Sequence, residues 1–121
     1  MKTSKDPRHL ERIKVMQELF SFAFSKEQKA ENRKSQLILS NVADIDNWIE
    51  KSAPKWDVSK INRIDLAILR MAVYELMVEK SNPPKVIVDE SVELAKEYGS
   101  EASPGFINGA LGKLISDNKL L

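Results

Sequence analysis

Four cations near the start of the chain, Lys2, Lys5, Arg8 and Arg12, are the first residues whose type and spacing could do chemistry. Arg8 and Arg12 are four residues apart, so in a helix they share a face. Clustered cations displace counterions from a polyphosphate, which makes this a candidate RNA-contacting patch. The plainer reading is a solvated helix start, yet positive charge there is mildly unfavourable through the helix dipole. Phe106 is the second candidate. It lies just inside a helix opened by Ser103-Pro104, where backbone N–H groups have no intrahelical partner. An aromatic ring beside free N–H groups suits base stacking and phosphate contact. Trp56 could also stack on a base but is expected in the core.

Other chemistry is poorly served. The chain has no cysteine, which removes thiol catalysis, disulfides and Cys-ligated metal. A single histidine, His9, cannot build a multi-histidine metal site. Asp89, Glu90, Glu93 and Glu97 spread over more than one helix face without a histidine partner, so a solvated face is expected, with Glu93 and Glu97 meeting Lys96 or a neighbour. Arg70 lies in an almost wholly apolar stretch and must be paired, with Glu90 and Glu93 as candidate partners. Gly105, Gly109 and Gly112 line one helix face with Ser116, which suggests close approach of another helix or of a ligand; helix packing is the expectation. No cofactor is called for, and no enzymatic activity is expected.

The 121 residues suit one domain with one core. A hydrophobic fraction of 42% and a charged fraction of 31% are ordinary for a soluble fold. No apolar run is long enough to span a bilayer and no secretory signal precedes the first helix, so a cytoplasmic location is expected. The formal net charge of +1 argues against tight nucleic-acid binding over the whole surface, though not against a local patch.

The periodicity predicts an all-α bundle of five to six helices. Its organising element is Asn62 to Lys80, rich in Ala, Leu, Met, Arg and Glu, without Gly or Pro, and apolar most of the way round. A first helix is expected over Pro7 to Ser25 with Asp6 as cap. One long helix is expected over about Gln28 to Lys51, with Trp48 in the core. Residues 1–53 form an N-terminal helical half and 54–121 a C-terminal one. The next helix runs from Pro84 to Tyr98, with Val88, Val92, Ala95 and Tyr98 facing inward and Gly99 as C-cap. The last helix reaches about Asp117.

Three segments together carry a family resemblance. Arg63-Ile-Asp-Leu-Ala-Ile-Leu-Arg-Met-Ala-Val-Tyr-Glu-Leu resembles the signature helix of the NusB family of bacterial transcription antitermination factors. Residues 83–101 and Phe106-Ile-Asn-Gly-Ala-Leu-Gly-Lys-Leu continue the match in the family's order. The likeness is weaker over Arg8–Phe24 and poor between there and Trp56, where the chain reads as one helix short. The resemblance implies a boxA-type RNA of ribosomal RNA leader transcripts as ligand. It implies NusE, a small-subunit ribosomal protein, as partner, and action on elongating RNA polymerase through other Nus factors. It carries Ser103, Phe106 and Asn108 onto the RNA surface beside the basic N-terminus. By family position Phe20, Phe24 and Asp65 fall on the partner face. Departures are the interrupted basic run, Ala102 in place of a frequent acid, Pro104-Gly105 in place of a polar pair, and Gly112 in place of an aspartate. They leave a second reading, a protein–protein adaptor on the same scaffold with specific RNA binding weakened or lost. An enzyme fragment of the kind found in some ribosomal RNA methyltransferases is disfavoured, because no Gly-rich cofactor loop is present.

Overall fold

A computed structural model describes residues 6–25 and 29–120. Six α-helices are present among them: α1 Pro7–Phe24, α2 Arg33–Ser40, α3 Val42–Ser52, α4 Arg63–Tyr74, α5 Pro84–Tyr98 and α6 Ser103–Asp117. α4 is the axle and packs against each of the other five. Every residue from Asp65 to Tyr74 is buried. The absence of a polar stripe on this segment is thus explained by neighbours on every side. Asn62 starts the helix by accepting the backbone N–H groups of Ile64 and Asp65 with its side chain. One hydrophobic cluster runs through both halves of the chain, from Val15, Met16 and Leu19 of α1 to Leu111, Leu114 and Ile115 of α6.

α4 does not run as a regular helix to Lys80. Glu75–Glu79 form a π-helical turn, closed by the Lys80 N–H donating to the Glu75 carbonyl at 2.9 Å. Lys80 then takes φ 54°, the left-handed conformation that reverses the chain ahead of Pro83 and Pro84. Pro84 opens α5, where its missing N–H costs no helical hydrogen bond.

The stretch expected as one long helix is two. Asn41 breaks it: its N–H donates to the Ile38 carbonyl at 3.0 Å, and its side-chain amide donates to the Leu37 carbonyl at 2.8 Å. An Asn side chain that takes a backbone carbonyl competes with the helix for it. Residues 33–52 therefore supply two helices to the bundle where one was expected. The inner face of α5 also differs from expectation. Ile87, Ser91, Leu94 and Ala95 are buried, whereas Tyr98 is exposed. Ser91 can be buried because its hydroxyl donates to the Ile87 carbonyl at 2.7 Å. Trp48 packs partly buried against the core, as expected.

Candidate nucleic-acid interface

Lys2 and Lys5 lie outside the described residues. Arg8 and Arg12 do share a face of α1, but they behave differently. Asp6 caps the helix by accepting the Arg8 N–H at 2.9 Å. The Arg8 guanidinium is out in solvent, with its side chain 85% exposed and 3.7 Å from the Asp6 carboxylate. Arg12 turns inward. Its guanidinium donates to Glu75 Oε1 at 2.6 Å and lies 3.8 Å from Glu90 Oε1, with the side chain only 11% exposed. A free pair of phosphate-binding arginines is therefore not what the fold builds. Arg12 neutralises Glu75, whose side chain is 1% exposed at the start of the π-turn.

Arg12 belongs to a charged layer joining four segments. Lys34 of α2 reaches Glu75 at 3.4 Å and Glu79 at 3.5 Å. His9, buried in α1, has Nε2 3.0 and 3.1 Å from the two carboxylate oxygens of Glu97 on α5. Its Nδ1 lies 3.8 Å from Glu90. The acids of α5 are thus only partly a solvated face: Glu90 is buried beside Arg12 and His9, Glu97 serves His9, and Glu93 meets Lys96 at 3.8 Å as expected. Arg70 is paired too, but its partner is neither Glu90 nor Glu93. Its Nε and one terminal nitrogen donate to the two oxygens of Asp46 on α3, each at 2.9 Å. That two-pronged fit satisfies a buried guanidinium. It answers the cost of placing Arg70 in an apolar helix.

Ser103, Phe106 and Asn108 separate by depth. Ser103 is fully buried, accepting the Ser100 N–H at 2.9 Å and lying 3.2 Å from the Ser100 hydroxyl. It closes the α5–α6 turn and cannot meet a strand outside. Gly99 makes this turn possible: a Cβ there would come within 2.5 Å of the Ser103 side chain and 2.7 Å of the Ala95 carbonyl. Phe106 is half-buried at the start of α6 and Asn108 is exposed. Beside Phe106 stands Trp56, 46% exposed, its ring edge-on with centroids 6.4 Å apart and planes at 76°. Trp56 is thus a surface aromatic, not a core one. Its place in a short loop after Pro54, ahead of a 3₁₀ turn at Val58–Lys60, leaves it with one open side.

The two rings form a ridge with a groove on each side. One groove, of about 290 Å³, is lined by Trp56, Lys60, Ile61, Asn62, Asp65, Ala102 and Phe106. The other, of about 320 Å³, runs past Pro54 and Lys55 to Gly105 and Gly109. Gly105, Gly109 and Gly112 have nothing within 4 Å of where a Cβ would stand, so they do not mediate helix packing. The glycine stripe faces open space beside the aromatic ridge.

Of the three residues expected on a partner face, Phe20 and Phe24 lie on α1 and Asp65 on α4. Phe20 and Phe24 pack edge-on at 4.8 Å, and Phe24 is 64% exposed. Arg63 covers the Phe24 ring at 4.7 Å and donates to the Ala23 carbonyl at 2.9 Å. Asp65 is two residues further along α4, about 200° round the helix. It is buried beneath the second aromatic surface, with burial pushing its carboxyl above the ordinary value and the Ser103 hydroxyl partly offsetting that.

The sequence profile of the NusB family matches residues 9–116. The transcription antitermination protein NusB of Clostridium novyi (strain NT) is 46% identical over 78 residues, 64% of this chain and 59% of that protein. The aligned part thus spans less than two thirds of that relative's length. The protein of the same name from Alkaliphilus oremlandii (strain OhILAs) is 38% identical over 110 residues, 89% of this chain and 79% of that one. The solved structure of T. maritima NusB superposes with a TM-score of 0.80 at 32% identity, covering 97% of this chain and 94% of that one. No helix among the described residues is long and apolar enough to cross a membrane.

Proposed function

The chain belongs to the NusB family, and from that premise we propose that it is a NusB-type transcription antitermination factor. In this reading it binds a boxA-type RNA of ribosomal RNA leader transcripts together with NusE and acts on elongating RNA polymerase through other Nus factors. It is a binding module, not an enzyme. The observation that carries the reading is the Trp56–Phe106 ridge at the start of α6, with Lys55 and Lys60 in the lining of its two grooves. Aromatic faces hold unpaired bases with little regard to sequence, and nearby cations hold the phosphates. Arg8, and by sequence Lys2 and Lys5, are the further candidate phosphate contacts in this reading. Arg12 contributes only by keeping α1 in place. Phe20, Phe24 and Arg63 form the surface assigned to NusE. A partner that supplies further RNA contacts suits a chain with a net charge of +1.

The test is a titration of labelled boxA-type RNA and a scrambled control, with and without NusE, at two salt concentrations. Tighter and sequence-selective binding with NusE, weakened by Phe106→Ala and by Arg8→Ala, is the expected result. Equal weak binding of both RNAs despite a stable complex with NusE would sink specific recognition and leave a protein–protein adaptor.

A further inference from the structure

His9 is buried where a helix end is ordinarily open to water. It stands in the first turn of α1, yet only 2% of it is exposed. Its Nε2 lies 3.0 and 3.1 Å from the two carboxylate oxygens of Glu97. A carboxylate only accepts, so Nε2 carries the proton and donates. In a neutral imidazole Nδ1 is then a bare acceptor. It is buried without a hydrogen-bond partner, and the group facing it is Glu90 Oε2 at 3.8 Å, another acceptor. Buried polar atoms are ordinarily paired, so a lone acceptor beside a carboxylate calls for an explanation. A second proton supplies one. Nδ1–H then has Glu90 to meet while Nε2–H keeps Glu97, and the ring carries its charge between two carboxylates.

The surrounding charges favour that state. From α5 the ring meets Glu90 and Glu97. Along α1, Arg12 follows one turn on and lies 3.8 Å from Glu90, while Arg8 points into solvent beside Asp6. Behind Arg12 lie Glu75 and Glu79 of the π-turn, with Lys34 of α2 at 3.4 and 3.5 Å from them. The four carboxylates of this layer, Glu75, Glu79, Glu90 and Glu97, thus face two other cations, Arg12 and Lys34. The helix dipole weighs against a cation in the first turn, but mildly, whereas the carboxylates carry full charges at short range.

Arg8 directly precedes the ring and is the exposed cation of the proposed RNA surface. Helix ends fray, and a cation that must be ordered at the moment of binding costs affinity. A ring latched onto α5 holds that turn in advance. A phosphate at Arg8 in turn adds negative charge near the ring and favours its second proton, and such coupling is reciprocal. We propose that His9 is a positioning residue for RNA binding: its doubly protonated ring clamps the first turn of α1 onto Glu90 and Glu97 of α5, and RNA binding takes up from solvent the Nδ1 proton that closes the clamp. This rests on the RNA-binding reading of the Arg8 end and adds regulation by protons to it. The break in the basic run at position 9 is then the point at which that end is held.

The test uses the untagged full chain and labelled boxA-type RNA at pH 6, 7 and 8 and constant ionic strength. Wild type should bind about threefold more tightly at pH 6 than at pH 8, the scale of one charge acting across a partly screened surface. His9→Gln keeps a donor for Glu97 but cannot take up a charge, and should bind alike at pH 6 and pH 8. The N-terminal amine also titrates near this range, and His9→Gln leaves it in place. Glu97→Gln alters a side chain that is 41% exposed, so it should fold, and it should shrink the preference for acid. His9 is the only histidine of the chain, so its ring gives a single NMR signal to follow. Adding RNA at pH 7 should move that signal toward its position in acid. Wild-type affinity that is the same at pH 6 and pH 8 would overturn the proton-linked clamp and spare the RNA-binding reading. An acid preference retained in full by His9→Gln, or by Glu97→Gln, would overturn the clamp as its source. A ring signal that RNA leaves in place would overturn proton uptake. No binding of RNA at any pH would overturn both readings.

Discussion

Arg8 and Arg12 share a helix face and a residue type, so replacing each with alanine separates two roles that composition cannot. In Arg12→Ala, Glu75 loses a 2.6 Å contact in a place where its own side chain is 1% exposed. Breaking a buried pair by removing one partner costs about 3–5 kcal/mol, because the remaining charge stays buried. Lys34 is still 3.4 Å from the same Glu75 oxygen, which brings the expected loss to the lower end, about 3 kcal/mol. For a domain of this size each kcal/mol moves the melting temperature by about 3–5 °C, so a fall of about 10–15 °C follows. Arg8→Ala removes a side chain that is 85% exposed and should leave the melting temperature where it is. RNA affinity should change in the opposite order. At a temperature where both variants are folded, Arg8→Ala weakens binding and lowers the salt dependence by about one phosphate contact, while Arg12→Ala does neither. Urea unfolding followed by tryptophan fluorescence, paired with the RNA titration, reads both quantities. An Arg12→Ala protein within about 0.5 kcal/mol of wild type would refute the claim that the charged layer holds α1 against the π-turn.

Three further outcomes can be checked with the same unfolding assay. Gly99→Ala forces a Cβ to within 2.5 Å of Ser103 and 2.7 Å of a backbone carbonyl, and should cost about 1–3 kcal/mol, whereas Gly109→Ala meets nothing within 4 Å and should gain about 0.5–1 kcal/mol. If Gly109→Ala also weakens RNA binding, a strand approaches that stripe closely. For Asp65, burial raises the carboxyl above its ordinary value of 3.8, so its contribution to stability is complete below that value and is lost as pH rises through the raised one. Asp65→Asn should therefore be more stable than wild type near neutrality, with the difference vanishing in acid; a constant difference across pH would contradict this. Glu18 has the opposite sign. Burial pushes its carboxyl up, but the N–H of Glu31, the hydroxyl of Ser35 and the N–H of Asn32 outweigh that and hold it below the ordinary range. Its contribution is present above the unfolded-state value and lost as pH falls through the lowered one, so the amide protons of Glu31 and Asn32 should lose exchange protection in acid before the α4 core does.

What was legible in the sequence is what neighbours in the chain decide. Asp6, Asn62 and Pro84 mark helix starts through groups one to three residues away, so their caps and turns could be read directly. The burial of α4 was legible because an apolar helix without a polar face has no stable alternative to enclosure. Arg70 was half legible: its need for a carboxylate follows from its surroundings, but the choice of Asp46 over Glu90 depends on which helix packs alongside. Arg12 and Glu75 are 63 positions apart, and neither residue type announces that it is buried. The family pattern reinforced the error, since it places arginines near the N-terminus without saying which way each one faces.

The aromatic ridge was misread for a related reason. A tryptophan in a short loop is ordinarily core, and a glycine stripe ordinarily permits two helices to touch; each expectation was reasonable alone. The fold reverses both at one place. Trp56 stands exposed in the loop after Pro54 with Phe106 edge-on to it, and the glycines of α6 face outward. An exposed aromatic and an exposed flat helix face are each wasteful for a molecule built only to fold. Their meeting beside one groove is more simply explained by a ligand that uses both. Functional sites are where local expectation and folded structure part company, and Trp56 and Gly109, which border the proposed RNA surface, are two such places.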